Sequence, residues 1–259
     1  MVIKSQKQLN SYQKAADIST EILAELVDMV APGIFPIEID KRAEKLCKKH
    51  KVRPAFKGQE DLHSMYKFST CISVNDTVVH GVPSRKVPIK KGDLVGVDFG
   101  VIRSGLYTDH CHTVGVGTIN SKDELLLNSG RRSIQNGVTQ AIVGKKVGDI
   151  GHAISASVKS DGYVIAKEFI GHSIGTRLWE NPGVPPIGKK GTGQKLEEGL
   201  VLCIEAQVLA GSDKVYKADD GWTIKTYDGG NAVMFEYMVI VQKNQPLVLT
   251  DTLNWKILV

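Results

Sequence analysis

Apolar residues recur near every 3.6 positions through Leu9, Ala16, Ile22, Leu23, Leu26 and Met29, which predicts an amphipathic helix stopped by Pro32-Gly33. A second, shorter helix follows, with Ile39, Ala43, Leu46 and Cys47 inside, Lys41, Lys45, Lys48 and Lys49 outside, and Arg53-Pro54 closing it. The texture then turns to strands at Cys71–Val74, Leu94–Phe99 and Thr113–Val116. After Asn120 the order repeats: a helix over Leu125–Val143, a break at Gly144-Lys145-Lys146, a short helix over Ile150–Val158, then strands at Leu200–Leu209 and Ala232–Val241. Gly33 and Gly144 stand at matching points, so the pattern predicts a single domain, 1–259, of two similar halves, about 1–120 and 121–259, around one core. Asn181–Gly199, rich in Pro, Gly and Lys, reads as the longest loop, and long loops inside compact domains tend to be functional.

Composition narrows the class. With 259 residues, 42% hydrophobic and 24% charged, the chain can bury a large core without disulfide or zinc staples. No apolar run approaches a membrane span, and the N-terminal residues lack the apolar core of a signal peptide. Cys47, Cys71, Cys111 and Cys203 are scattered with no Cys-x-x-Cys pair, which reads as reduced thiols in a cytoplasm. The net charge of +5 is spread over short basic clusters such as Lys48-Lys49, Lys90-Lys91, Arg131-Arg132 and Lys189-Lys190. That is the pattern of a solvated face, with weak docking on a ribosome or on nucleic acid, without sequence specificity, as the alternative.

The most informative stretch runs from Asp98 to Asp109. Two β-rich runs flank Arg103-Ser104-Gly105, a hairpin turn. A turn centred between Arg103 and Ser104 sets Asp98 opposite Asp109 on one sheet face, with Cβ atoms about 4.5–5.5 Å apart; a glycine bulge would shift this by one residue. Asp98 interrupts a nearly all-apolar strand, where an unpaired carboxylate is costly. Two facing carboxylates there call for a cation, although a shared proton or an arginine would also serve. His110 and His112 have zinc-ligand spacing, but strand alternation puts them on the face opposite Asp109, in surface or interlayer positions.

Three further groups sit in similar surroundings. His172 lies between glycines in Gly171-His172-Ser173-Ile174-Gly175, Glu205 ends the run Val201–Ile204, and Glu236 is embedded in Met234-Phe235-Glu236-Tyr237-Met238. Four carboxylates and one imidazole balance two divalent cations, and that donor set favours Mn, Fe, Co or Zn. Such a pair lowers the pKa of a water and clamps a tetrahedral intermediate, which is hydrolytic machinery. A His-Glu-x-x-His motif, a P-loop, a convincing Gly-x-Gly-x-x-Gly and a nucleophile elbow are all absent.

These residues resemble those of the type I methionine aminopeptidases over nearly the full chain. The landmarks are Ser73-Val74-Asn75-Asp76 leading to His80-Gly81-Val82-Pro83, then Asp98 and Asp109, Gly171-His172-Ser173-Ile174-Gly175, Ile204-Glu205 and Phe235-Glu236. The resemblance implies the α/β pita-bread fold, with two pseudo-twofold halves and helices outside a central antiparallel sheet. It implies removal of the initiator methionine from nascent chains when the next residue is small; the chain itself is expected to be a monomer in the cytoplasm. Asp98, Asp109, His172, Glu205 and Glu236 would hold two metal ions, Asp109 and Glu236 bridging, with Glu205 managing the proton of the attacking water. His80 would contact substrate near the scissile bond, and Cys71, Tyr66 and Trp222 would line the methionine pocket.

The chain departs from that pattern in several places. Trp179 stands where the family carries a second active-site histidine, and so falls in the substrate site; Ala206 replaces a proline and Tyr237 a histidine. Phe56–His63 is longer and more polar than the family's pocket segment. Two other readings compete. One is a sister exopeptidase of the aminopeptidase P or prolidase kind, for whose extra N-terminal domain 259 residues leave no room. The other is a binding protein that kept the fold and lost turnover, although such proteins tend to lose the metal ligands.

Overall fold

The computed structural model describes residues 1–60, 64–252 and 254–259. Four long helices flank a central sheet. Helix α1 spans Gln6–Asp28, opened by the Ser5 hydroxyl, which accepts from the Gln8 amide, and α2 spans Pro36–His50. A proline in the first turn of α2 suits helix entry, and Lys51 in the left-handed region ends it three residues before Pro54. In the second half, α3 covers Ser121–Val138 under an Asn120 cap and α4 covers Val147–Ser160. The expected extension of α3 to Val143 does not occur: Thr139 caps the helix and the chain turns toward Gly144. Gly33 and Gly144 adopt nearly the same left-handed backbone, φ 92° and 93°, between the paired helices of each half.

The strands that position the site are β1 (Thr70–Val74), β2 (Thr77–Val79), β3 (Leu94–Phe99), β4 (His110–Gly115), β5 (Gly171–Ser173), β6 (Glu180–Val184), β7 (Val201–Leu209), β8 (Val215–Lys217), β9 (Ile224–Thr226) and β10 (Ala232–Ile240). The central sheet is antiparallel, in the order β6-β5-β7-β10-β4-β3-β1. Strands β8, β9 and β2 form a small second sheet. The expected loop Asn181–Gly199 is shorter than its composition suggests, because Glu180–Val184 pairs with β5 as an edge strand.

Both pairs of helices cover one face of the central sheet. Leu23, Leu26, Ile39 and Leu46 of α1 and α2 pack with Val95, Val97, Phe99 and Val114, while Leu127, Ile134, Ile150 and Ile154 of α3 and α4 pack with Ile204, Val208, Phe235 and Val239. The same alternation sends every second residue of those strands to the other face.

The Arg103-Ser104-Gly105 hairpin differs from the sequence expectation in register. Ser104 and Gly105 are the two turn residues with positive φ, Arg103 pairs with Leu106, and Asp98 therefore lies opposite Cys111 rather than Asp109. The slip is two residues, so Asp98 and Asp109 keep a common face and become diagonal neighbours. Strand β4 begins at His110, earlier than expected. His110 and His112 occupy the interlayer: His110 Nε2 is 3.0 Å from the Ser19 hydroxyl of α1, and His112 Nε2 is 2.9 Å from the Lys256 carbonyl.

Candidate metal centre and substrate cleft

Directly opposed residues point to the same side of a sheet, and the registers align two adjacent rows on the other face, where Tyr12, Ala15 and Ala16 of α1 also pack against Cys203 and Met238. The first row runs Cys71, Asp98, Cys111, Glu236, Glu205 across β1, β3, β4, β10 and β7. The second runs His172, Cys203, Met238 across β5, β7 and β10 and reaches Asp109, whose amide lies 3.2 Å from Met238 Sδ. Five residues spread over 139 positions of sequence thus meet within two pleats of one sheet.

All five are at most 8% exposed. His172 Nδ1 lies 3.0 Å from the Ser173 carbonyl. A carbonyl only accepts, so that nitrogen carries the proton and Nε2, 3.8 Å from Asp109 Oδ2, presents its lone pair to the carboxylates. Gln207, two residues beyond Glu205 on the same face, donates through Nε2 to Glu205 Oε2 at 2.6 Å. Asp98 Oδ1, Asp109 Oδ1 and Glu236 Oε1 are buried with no hydrogen-bond partner among the described residues.

Burial raises the pKa of every carboxylate here. Repulsion adds to it: from Glu205 on Asp98, from Asp98 and then Glu205 on Asp109, and from Asp109 and then Glu205 on Glu236. Glu205 is pushed up to about 7 by burial, against the Gln207 hydrogen bond, while burial lowers His172 to about 4 and keeps its imidazole neutral. Buried, mutually repelling carboxylates with orphaned oxygens beside a neutral imidazole are a poor arrangement for an empty core and a fitting one for divalent cations.

Every site residue expected from the sequence lines one cleft of about 500 Å³, partly open to solvent: Tyr66, Cys71, His80, Asp98, Asp109, His172, Trp179, Glu205, Trp222 and Glu236. Tyr66 anchors its apolar end; its hydroxyl donates to the Thr70 carbonyl at 2.8 Å and its ring meets Trp222 edge-on at 5.1 Å. His80 follows β2 in a left-handed conformation (φ 55°), between Phe169 and Trp222. Burial, and then Lys217, lowers it to about 4. Trp179 sits at the rim, 51% exposed.

Sequence reasoning missed Val79, Leu178, Met234, Cys203, Gln207 and Met238. The last four face the centre because they lie two residues from Glu205 or Glu236 on the same strand, a signal that alternation alone offered. Phe56 and Gln59 of the polar segment line the cleft, whereas 61–63 fall outside the described residues. Ala206 and Tyr237, two of the departures from the family pattern, point into the helix-covered core and do not touch the cleft.

Comparison with known proteins agrees with this geometry. The model of metallopeptidase family M24 matches residues 10–243. A methionine aminopeptidase from Clostridium perfringens is 38% identical over 96% of this chain and 98% of its own length. Among solved structures, a methionine aminopeptidase from Thermotoga maritima superposes with a TM-score of 0.91 at 33% identity, covering 96% of this chain and 99% of that one. The prolidase from Pyrococcus furiosus shares the fold at 23% identity and a TM-score of 0.77, with 97% of this chain but only 66% of the prolidase covered. The chain belongs to metallopeptidase family M24. It is a metal-dependent hydrolase with the pita-bread fold.

Proposed function

We propose that this protein is a methionine aminopeptidase that removes the initiator methionine from nascent chains whose second residue is small. The observation that carries the reading is the adjacency of two unlike surfaces in one cleft: five buried metal-type donors on the sheet, and the apolar wall of Tyr66, Cys71 and Trp222 beside them. An apolar pocket with polarisable walls suits a thioether side chain.

Asp98, Asp109, His172, Glu205 and Glu236 would hold two divalent cations, with Asp109 and Glu236 shared between them. Bound there, the ions would neutralise the carboxylates, make a water nucleophilic at neutral pH and polarise the scissile carbonyl. Glu205 Oε1 would take the proton of the attacking water, because Oε2 is held by Gln207. His80, neutral at pH 7, donates a hydrogen bond to the peptide beside the scissile bond. Tyr66, Cys71 and Trp222 seat the methionine side chain, and Trp179 closes the rim where the substrate continues.

The whole chain works as one metallopeptidase domain built from halves of about 1–120 and 121–259. We read it as a cytoplasmic monomer, with weak ribosome docking through its scattered basic clusters. Among the described residues no helix is long and apolar enough to cross a membrane. The deciding assay compares Met-Ala and Met-Leu peptides with Mn or Co, before and after chelation. Methionine released only from the first, and only with metal, is the expected outcome; metal-independent release, or none from either peptide, would refute the reading.

A further inference from the structure

The second row of the site holds a donor that the five-ligand reading leaves unused. Cys203 is fully buried on β7, paired in register with His172 on one side and Met238 on the other, two residues before Glu205. Its sulfur lies 3.9 Å from the Asp109 carbonyl and also interacts with the Glu236 carboxyl, two groups of the site itself. One donor atom each from Asp109, His172, Cys203 and Glu236 lie within 4.8 Å of one another. Four donors about 2.0–2.3 Å from a tetrahedral ion stand roughly 3.3–3.8 Å apart, so this cluster is about 1 Å from closing on a single cation. Two of its members, Asp109 and Glu236, carry buried oxygens with no hydrogen-bond partner among the described residues.

We infer that Cys203 is a metal ligand, its thiolate completing an Asp109–His172–Glu236 donor set around one cation. The inference rests on the reading of this site as a metal centre. On binding, the thiol gives its proton to solvent and the sulfur bonds the cation; nothing is oxidised or reduced. A thiolate among carboxylates biases the position toward Zn over Mn, because soft donors favour the softer ion.

Cobalt titrated into the metal-stripped protein tests this directly. Thiolate-bound cobalt absorbs in the near ultraviolet through sulfur-to-metal charge transfer, which oxygen and nitrogen donors do not produce there. The band is expected in the unaltered chain, retained in Cys71→Ser and Cys111→Ser, and lost in Cys203→Ser and Cys203→Ala. The preference for Zn over Mn, measured by competition, should fall in the Cys203 variants and not in Cys71→Ser or Cys111→Ser. Bound cobalt without the band in the unaltered chain, or a band that survives Cys203→Ser or disappears in Cys111→Ser, would overturn the assignment; the unaltered chain decides even if a Cys203 variant fails to fold. If chelator-sensitive methionine release persists while the band is absent, Cys203 alone is misassigned. If no cobalt binds at all, the metal-centre reading fails and this inference with it.

Discussion

Glu205 and Glu236 stand directly opposite each other in the β7–β10 register, both buried, with the Glu236 Oε1 oxygen lacking any hydrogen-bond partner among the described residues. Like charges in that position oppose folding unless protons or cations intervene. Glu236→Ala and Asp109→Ala are therefore expected to lose metal occupancy and peptide hydrolysis together. In the metal-free protein, Glu236→Gln should instead melt higher than the unaltered chain, by about 2–4 °C for each kcal/mol of repulsion relieved. Calorimetry decides: two ions still bound in either alanine variant would remove Asp109 and Glu236 from the bridging role.

Metal affinity should fall with pH, in a direction the carboxylates set. Their pKa values are raised, so the metal-free site holds protons that a cation must displace. Below about 7, Glu205 alone costs about tenfold in affinity per pH unit. Isothermal titration at pH 8 and pH 6 should show at least that weakening; equal affinities would mean that the carboxyl is already ionised before metal arrives.

Trp222→Ala and Cys71→Ala are expected to raise KM for methionyl peptides with little change in metal affinity, since both side chains line the apolar wall and neither belongs to the five-donor set. Lost wall contacts of methylene size cost about 1–3 kcal/mol, roughly 10–200-fold in specificity. If hydrolysis of methionyl and leucyl peptides declines in parallel, these residues do not read the side chain.

Trp179 is expected to make the enzyme slow. An indole donates one hydrogen bond and neither accepts nor titrates, so it replaces at most half of a histidine's work at the rim. One missing stabiliser of a developing oxyanion costs on the order of 10²–10³ in kcat. Trp179→His is expected to raise kcat and leave metal binding unchanged. An unchanged or lower rate would show a cleft organised around the indole for another substrate.

Asp40 supports the pocket from behind. Its buried Oδ1 accepts from the Ser69 and Thr70 amides, at 2.7 and 3.0 Å, and from the Thr70 hydroxyl, at the start of the strand that carries Cys71. Asp40→Ala leaves those donors buried without an acceptor, each costing about 1–3 kcal/mol. A thermal melt should drop by several degrees and KM should rise; an unaltered melt would show that water replaces the carboxylate.

Much of this protein is written in local pattern. The helical period located the four long helices of the described residues, the interruption of apolar strands by Asp98, Glu205 and Glu236 marked the carboxylates that meet in the cleft, and strand alternation sent His110 and His112 away from them. These are properties of neighbouring residues, and burying a charge in an apolar run is costly enough to be visible without a fold. What local pattern left open is register and partnership. A two-residue difference in the turn at Ser104-Gly105 leaves the alternation of β3 and β4 intact, so only the packed sheet decided that Asp98 faces Cys111. Likewise, alternation sets Cys203 and Gln207 on the face of Glu205, two residues away on either side, but not the strands they meet there. Cys203 meets His172 and Met238 because β7 lies between β5 and β10, a choice made by how the two helix-covered halves close on each other and by pairings across long stretches of chain.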